Sequence, residues 1–204
     1  MLGNPWVSEP PVPAADEPEP AATRSSALRP LVPQSATVSR PGAGGLDVWD
    51  AGAARHGPAW WWVGCHGGAG VGTLCSLVPG GADGGRGWPV PSDGGPSRVI
   101  LVARTHASGL RSAQLAARQW ASGALPMVRL LGLAAVADAP GKLPKPLQDV
   151  LKLVGGGFPH VWTIPWIEAL RLGDVPAQGA LPKPVARMAA ELSQSFQRTT
   201  GSMP

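Results

Sequence analysis

Apolar positions along the chain gather into four short runs separated by stretches with helical spacing. Ala59 to Cys65 (AWWWVGC), Val99 to Ala103 (VILVA), Val128 to Ala137 (VRLLGLAAVA) and Val161 to Ile164 (VWTI) have the pattern of strands covered on both faces of a parallel sheet. After the first run, Leu74 to Val78 predicts one or two helical turns stopping before Pro79. Leu110, Ala113, Leu115, Ala117 and Trp120 give the apolar stripe of a helix that Ser108 caps and that runs to about Ala121. Leu147, Val150, Leu151 and Val154 predict a third helix over Pro146 to Val154, ended by the glycines from Gly155 to Gly157. A last helix is expected from about Pro184 to Phe196. Residues 79–97, rich in Gly, Pro and Asp, read as a loop. Strands alternating with helices and no hairpin signal predict an α/β fold, a parallel sheet with helices on both faces.

Composition sets the boundaries. Of 204 residues, 28 are Gly and 24 Pro, a content that excludes an all-helical bundle and must be unevenly spread if a core exists. Nine prolines lie in residues 1–41 and twelve glycines in residues 64–95. Residues 1–45 therefore read as a disordered Pro-rich arm, 46–58 as a linker, and 59–198 as the domain. Apolar residues make up 44% of the chain, enough for a core. The longest apolar run falls well short of the ~20 residues that span a bilayer, and the first 25 residues lack a secretory apolar segment. A cytoplasmic protein with free thiols at Cys65 and Cys75 is expected. The net charge of +4 is compatible with an acidic partner but far below the dense basic patch of a dedicated nucleic-acid binder, so nucleic acid is possible as a partner but not indicated.

The chemistry begins where the first strand enters glycines: His66-Gly67-Gly68-Ala69-Gly70-Val71-Gly72-Thr73. A glycine-rich turn between a strand and a helix lets successive N–H groups converge on an anion. This wording resembles the deviant phosphate loop of the MinD/ParA family of P-loop ATPases, K-G-G-x-G-K-[ST]. Gly67, Gly68 and Gly70 fall on the family's glycines. His66 stands at its signature lysine, Val71 at the phosphate-gripping lysine and Gly72 at the magnesium-binding hydroxyl. Val99 to Ala116 is similar to the family's later strand, loop and helix, and Val161 to Pro165 to its late strand ending in Ile-Pro. The segment between Thr73 and Val99, where family members carry the acid that orients water and metal, is much shortened. The tryptophan-rich lead-in and the lysine-less loop also resemble those of short proteins of high-GC bacteria encoded near conjugative-transfer genes.

The resemblance implies a reduced P-loop NTPase-like domain with ATP and Mg as the cofactors to expect, and a nucleotide-binding set of His66 to Thr73 with Arg104 and Asp138. With the cations replaced, it implies an accessory or regulatory binding module that serves DNA transfer or partition and works with a protein partner or a second copy. The alternatives are a slow ATPase in which an arginine or a partner replaces the lysine, and an adaptor that has lost nucleotide. No catalytic residue is assigned. Asp83 and Asp93 read as loop residues without the strand-end setting of a catalytic acid. Cys65, His66, Cys75 and His106 lack metal-ligand spacing, and no metal site is expected. Asp138 follows the third strand, where open α/β sheets contact ligands, and equally suits a helix cap. Arg111 and Arg118 are expected on a solvated face. Among Trp60, Trp61 and Trp62 at least one must be core, and Trp162 and Trp166 are expected there too.

Overall fold

The computed structural model describes residues 45–52 and 57–200; the Pro-rich arm lies outside these, apart from Gly45. All described residues belong to one unit of the chain. A five-stranded sheet forms the centre, with all strands parallel, in the order β3-β2-β5-β6-β7. These strands are β2 (Trp60–Gly64), β3 (Gly81–Asp83), β5 (Ser97–Arg104), β6 (Val128–Val136) and β7 (Val161–Ile164). The connections carry helices α1 (Val71–Leu77), α2 (Ala107–Ala121) and α3 (Lys145–Gly155). After β7 come α4 (Glu168–Arg171) and α5 (Lys183–Thr200).

Alternation along β5 divides the core in two. Val99, Leu101 and Ala103 pack with Ala113, Ala116 and Ala117 of α2 and Val154 of α3. Ile100 and Val102 pack with Leu74 and Leu77 of α1 and with Val185, Met188 and Leu192 of α5. A strand whose odd and even residues are both covered must be apolar throughout, which is why the runs of β2, β5 and β6 were readable; β7, at the sheet edge, leaves Thr163 exposed. Helices thus lie on both faces of the parallel sheet.

Three strands replace expected irregular structure. The segment 46–58 read as a linker, yet it holds β1 (Asp47–Asp50), paired in parallel with β4 (Gly87–Val90) in a second, two-stranded sheet. The expected loop 79–97 contains β3 and β4. Gln119 of α2 accounts for the docking. Its side chain accepts from Leu46 N and donates to Leu46 O, both at 2.8 Å, and also accepts from Trp88 Nε1 at 2.9 Å.

The tryptophans divide by face. Trp60 and Trp62 are buried on the α1/α5 side, their rings edge to face at 5.9 Å, and Trp61 packs half-buried on the other. Trp162 and Trp166 are half-buried rather than core. The reason is their polar ends: Trp162 Nε1 donates to Glu191 at 2.9 Å and Trp166 Nε1 to Glu168 at 2.6 Å. The Trp162 hydrogen bond, followed by that of Arg187, holds the Glu191 carboxyl below its ordinary range.

Candidate functional site: a basic crevice at the strand ends

The strands β2 and β5 are neighbours, but their following helices leave in opposite directions, α1 to one face and α2 to the other. Such a switch opens a crevice outside the carboxyl ends of the strands. Here it has a volume of about 500 Å³.

The β2–α1 turn forms one wall. Gly68 at φ 71° and Gly70 at φ 105° occupy the left-handed region, where a side chain is strained, so the loop needs glycine at both. No side chain caps α1, which leaves first-turn amides without an intrahelical acceptor. Of the expected set, His66, Gly67, Gly68, Thr73, Arg104 and Asp138 line the crevice. Ala69 is buried in the α1/α5 core, against which Val71 packs half-buried. Gly70 caps the helix, and Gly72 is exposed on its first turn. The hydroxyl at the crevice is that of Thr73, one residue beyond the place matched to the family's magnesium ligand.

Arg104 ends β5 and reaches across the crevice floor. Its Nε donates to Gly68 O at 3.2 Å and its Nη1 to Ala137 O at 2.8 Å, joining the glycine turn to the end of β6. Two of five guanidinium N–H groups are used in this way. Among the described residues no carboxylate pairs with it. Arg111 and Arg118 are exposed on α2 and do not line the crevice.

Two histidines stand at the switch point, with ring centroids 5.1 Å apart. Arg104 N lies 3.1 Å from His66 Nε2. An amide N–H only donates, so Nε2 accepts and the ring proton sits on Nδ1, which donates to Gly67 O at 2.8 Å. His106, not Ser108, caps α2: its Nδ1 accepts from Gly109 N at 2.9 Å, with Ser108 Oγ 3.0 Å from the same nitrogen. The ring does the work of the usual short polar cap, and the neutral ring then carries its proton on Nε2.

The far end was not foreseen. Ile164, Pro165, Trp166, Ile167, Leu170 and Arg171 close the crevice, with the Arg171 guanidinium over the Trp166 ring at 5.9 Å. A four-residue helix after a proline carries too little periodicity to be read. Asp138 is exposed at the rim, its backbone N donating to Thr105 Oγ1 at 3.3 Å. Asp83, expected in a loop, ends β3, but its carboxylate accepts from Gly85 N at 2.7 Å and does not line the crevice. Cys65 is buried and Cys75 half-buried, and no group of three metal-ligating side chains occurs among the described residues. No helix is long and apolar enough to cross a membrane among the described residues.

The resulting crevice sets two arginines, two histidines and helix-start amides against one carboxylate, with an apolar end beside them. With both His66 ring nitrogens engaged, the donors of this crevice are the arginines, His106 and the turn amides, a set suited to an anion. Compared with known proteins, residues 58–188 match the model of DUF6668, a family of unknown function. No curated protein and no solved structure matches the chain.

Proposed function

The chain belongs to the DUF6668 family, and on that premise we propose that it is a cytoplasmic nucleotide-binding module related to the MinD/ParA ATPases, one that holds its ligand without hydrolysing it and regulates a protein partner, in DNA transfer or partition. The observation that carries this reading is Arg104, a guanidinium that bridges the glycine turn and the end of β6 and has no carboxylate partner among the described residues. It sets a cation on the carbonyl of Gly68, within a loop that has no lysine of its own. Phosphates would lie along the glycine turn, Arg104 and His106. The heterocycle would lie toward Pro165, Trp166 and Leu170, with Asp138 at the rim for a hydroxyl. Mg would meet Thr73 and Asp138, a thin donor set.

Failure to hydrolyse follows from what phosphoryl transfer needs, namely positioned cations and a group that orients water. Val71 and Gly72 supply neither charge nor hydroxyl, and Asp83 is committed to its own turn. Calorimetric titration of the whole chain with ATP, with and without Mg, alongside a phosphate-release assay, tests the reading. Binding without release is expected. Arg104→Ala should weaken it at least tenfold, since a charge-assisted hydrogen bond contributes about 1.5–3 kcal/mol. Turnover would replace the reading with that of a slow ATPase using Arg104 in place of lysine, and no binding with that of an adaptor.

A further inference from the structure

A second basic feature lies at the opposite, N-terminal ends of the strands. Arg98 of β5 and Arg129 of β6 are register partners on adjacent strands. Their neighbours Val99 and Leu130 face the α2/α3 core, so alternation turns both arginines toward α5. Like charges placed directly opposite destabilise a sheet, and among the described residues no carboxylate pairs with either arginine. Glu191, on α5, is committed to Trp162 and Arg187. The Arg98 guanidinium is held over the Phe196 ring, 5.6 Å from its centre.

Between the two arginines is a cavity of about 70 Å³, walled by Trp60, Leu131, Leu192 and Phe196. That is the room of about two waters, at roughly 30 Å³ each, or of one tetrahedral oxyanion. Arg98 is half-buried and Arg129 exposed, and two guanidinium forks match the oxygens of a phosphate.

We propose that Arg98 and Arg129 form a binding site for a single phosphate group, separate from the crevice and independent of its ligand. The phosphate is a free ion or ester, or belongs to a nucleic-acid backbone. The test is an NMR titration of the full chain, following arginine Nε–H resonances with inorganic phosphate, with a short oligothymidylate, and with chloride at matched ionic strength. Arg98 and Arg129 should shift together and saturate with phosphate or with the oligonucleotide, which separates the two sources, and not with chloride. Arg98→Gln should weaken the response of Arg129 at least tenfold, and Arg129→Gln that of Arg98. Arg104 reports the crevice separately in the same spectrum. Equal drift in chloride, or an Arg129 response unchanged by loss of Arg98, would overturn the proposal. The wild-type titration decides even if a variant fails to fold.

Discussion

The side-chain amide of Gln119 clasps the backbone of Leu46, accepting from its N–H and donating to its carbonyl, each at 2.8 Å across 73 residues. The same oxygen accepts from Trp88 Nε1, so one residue of α2 fastens both strands of the small sheet. Gln119→Ala removes three hydrogen bonds that net about 1 kcal/mol each. The melting midpoint should fall by roughly 5–10 °C for a domain of this size. Hydrogen exchange should show β1 losing protection while β5 keeps it; equal loss in both would mean that β1 is held by something other than this clasp.

That clasp also shows where local pattern stops being informative. The strands β2, β5 and β6 were legible because burial on both faces demands apolar runs, and edge strand β7, with Thr163 exposed, from its short β-branched and aromatic run before Pro165. DVWD, GAD and GWPV carry no such run; they are strands because Gln119, Trp88 and the paired tryptophans hold them, which is tertiary context overriding propensity. In the crevice, the glycine turn was readable from its place after a strand, and Arg104 from its place at a strand end. His106 as a cap was not, because a ring nitrogen in that role has no short-range signature. The two arginines of the opposite notch became neighbours only through the register of β5 with β6.

Gly81 is where β3 passes the two buried indoles. A Cβ there would collide with the Nε1 atoms of both Trp60 and Trp62, neither of which has a hydrogen-bond partner among the described residues. Both rings are locked in the α1/α5 core and cannot swing away. Gly81→Ala should therefore destabilise by roughly 3 kcal/mol, the upper end of overpacking costs, as measured by chemical denaturation. Gly85→Ala, at φ 64° with open space around it, should cost less, through backbone strain alone. Equal costs at the two positions would show that the indoles give way.

The Cys65 thiol is pushed up to about 12, mainly by burial and against a lowering hydrogen bond from Val102. In the unfolded chain a thiol ionises near 8.5. Between those values the unfolded state releases a proton that the folded state keeps. This contribution to stability is whole below about pH 8.5 and is lost as pH rises toward 12, at up to about 1.4 kcal/mol per pH unit. Cys75 is also raised, by burial and then by Asp83, and adds in the same direction. Denaturation at pH 8, 9 and 10 should show declining stability in the wild type and a flatter decline in Cys65→Ala. A maleimide should label half-buried Cys75 well before Cys65. Matching pH profiles for the two chains would show that the alkaline loss originates elsewhere.

Gly109 sits where the two histidines and the end of β5 converge. A Cβ at this position would meet the Arg104 carbonyl, lie 2.9 Å from His66 Nε2 and 3.1 Å from His106 Cε1. Backbone cannot retreat from it without moving Arg104, whose N–H is bonded to His66 and whose guanidinium braces Gly68 and Ala137. Gly109→Ala should thus displace both rings and loosen that brace, although residue 109 offers no side chain to a ligand. Imidazole resonances of His66 and His106 should shift together, and affinity of the crevice for a triphosphate should fall about tenfold, the scale of one lost charge-assisted contact. Ser108→Ala, one residue earlier, removes only a hydroxyl near His106 Nδ1 and leaves Gly109 N as the donor to that nitrogen, so affinity should stay within about twofold. If Gly109→Ala shifted the histidines without weakening the ligand, His66 and His106 would be structural supports of the turn, and the anion would be held by Arg104 and the glycine amides alone.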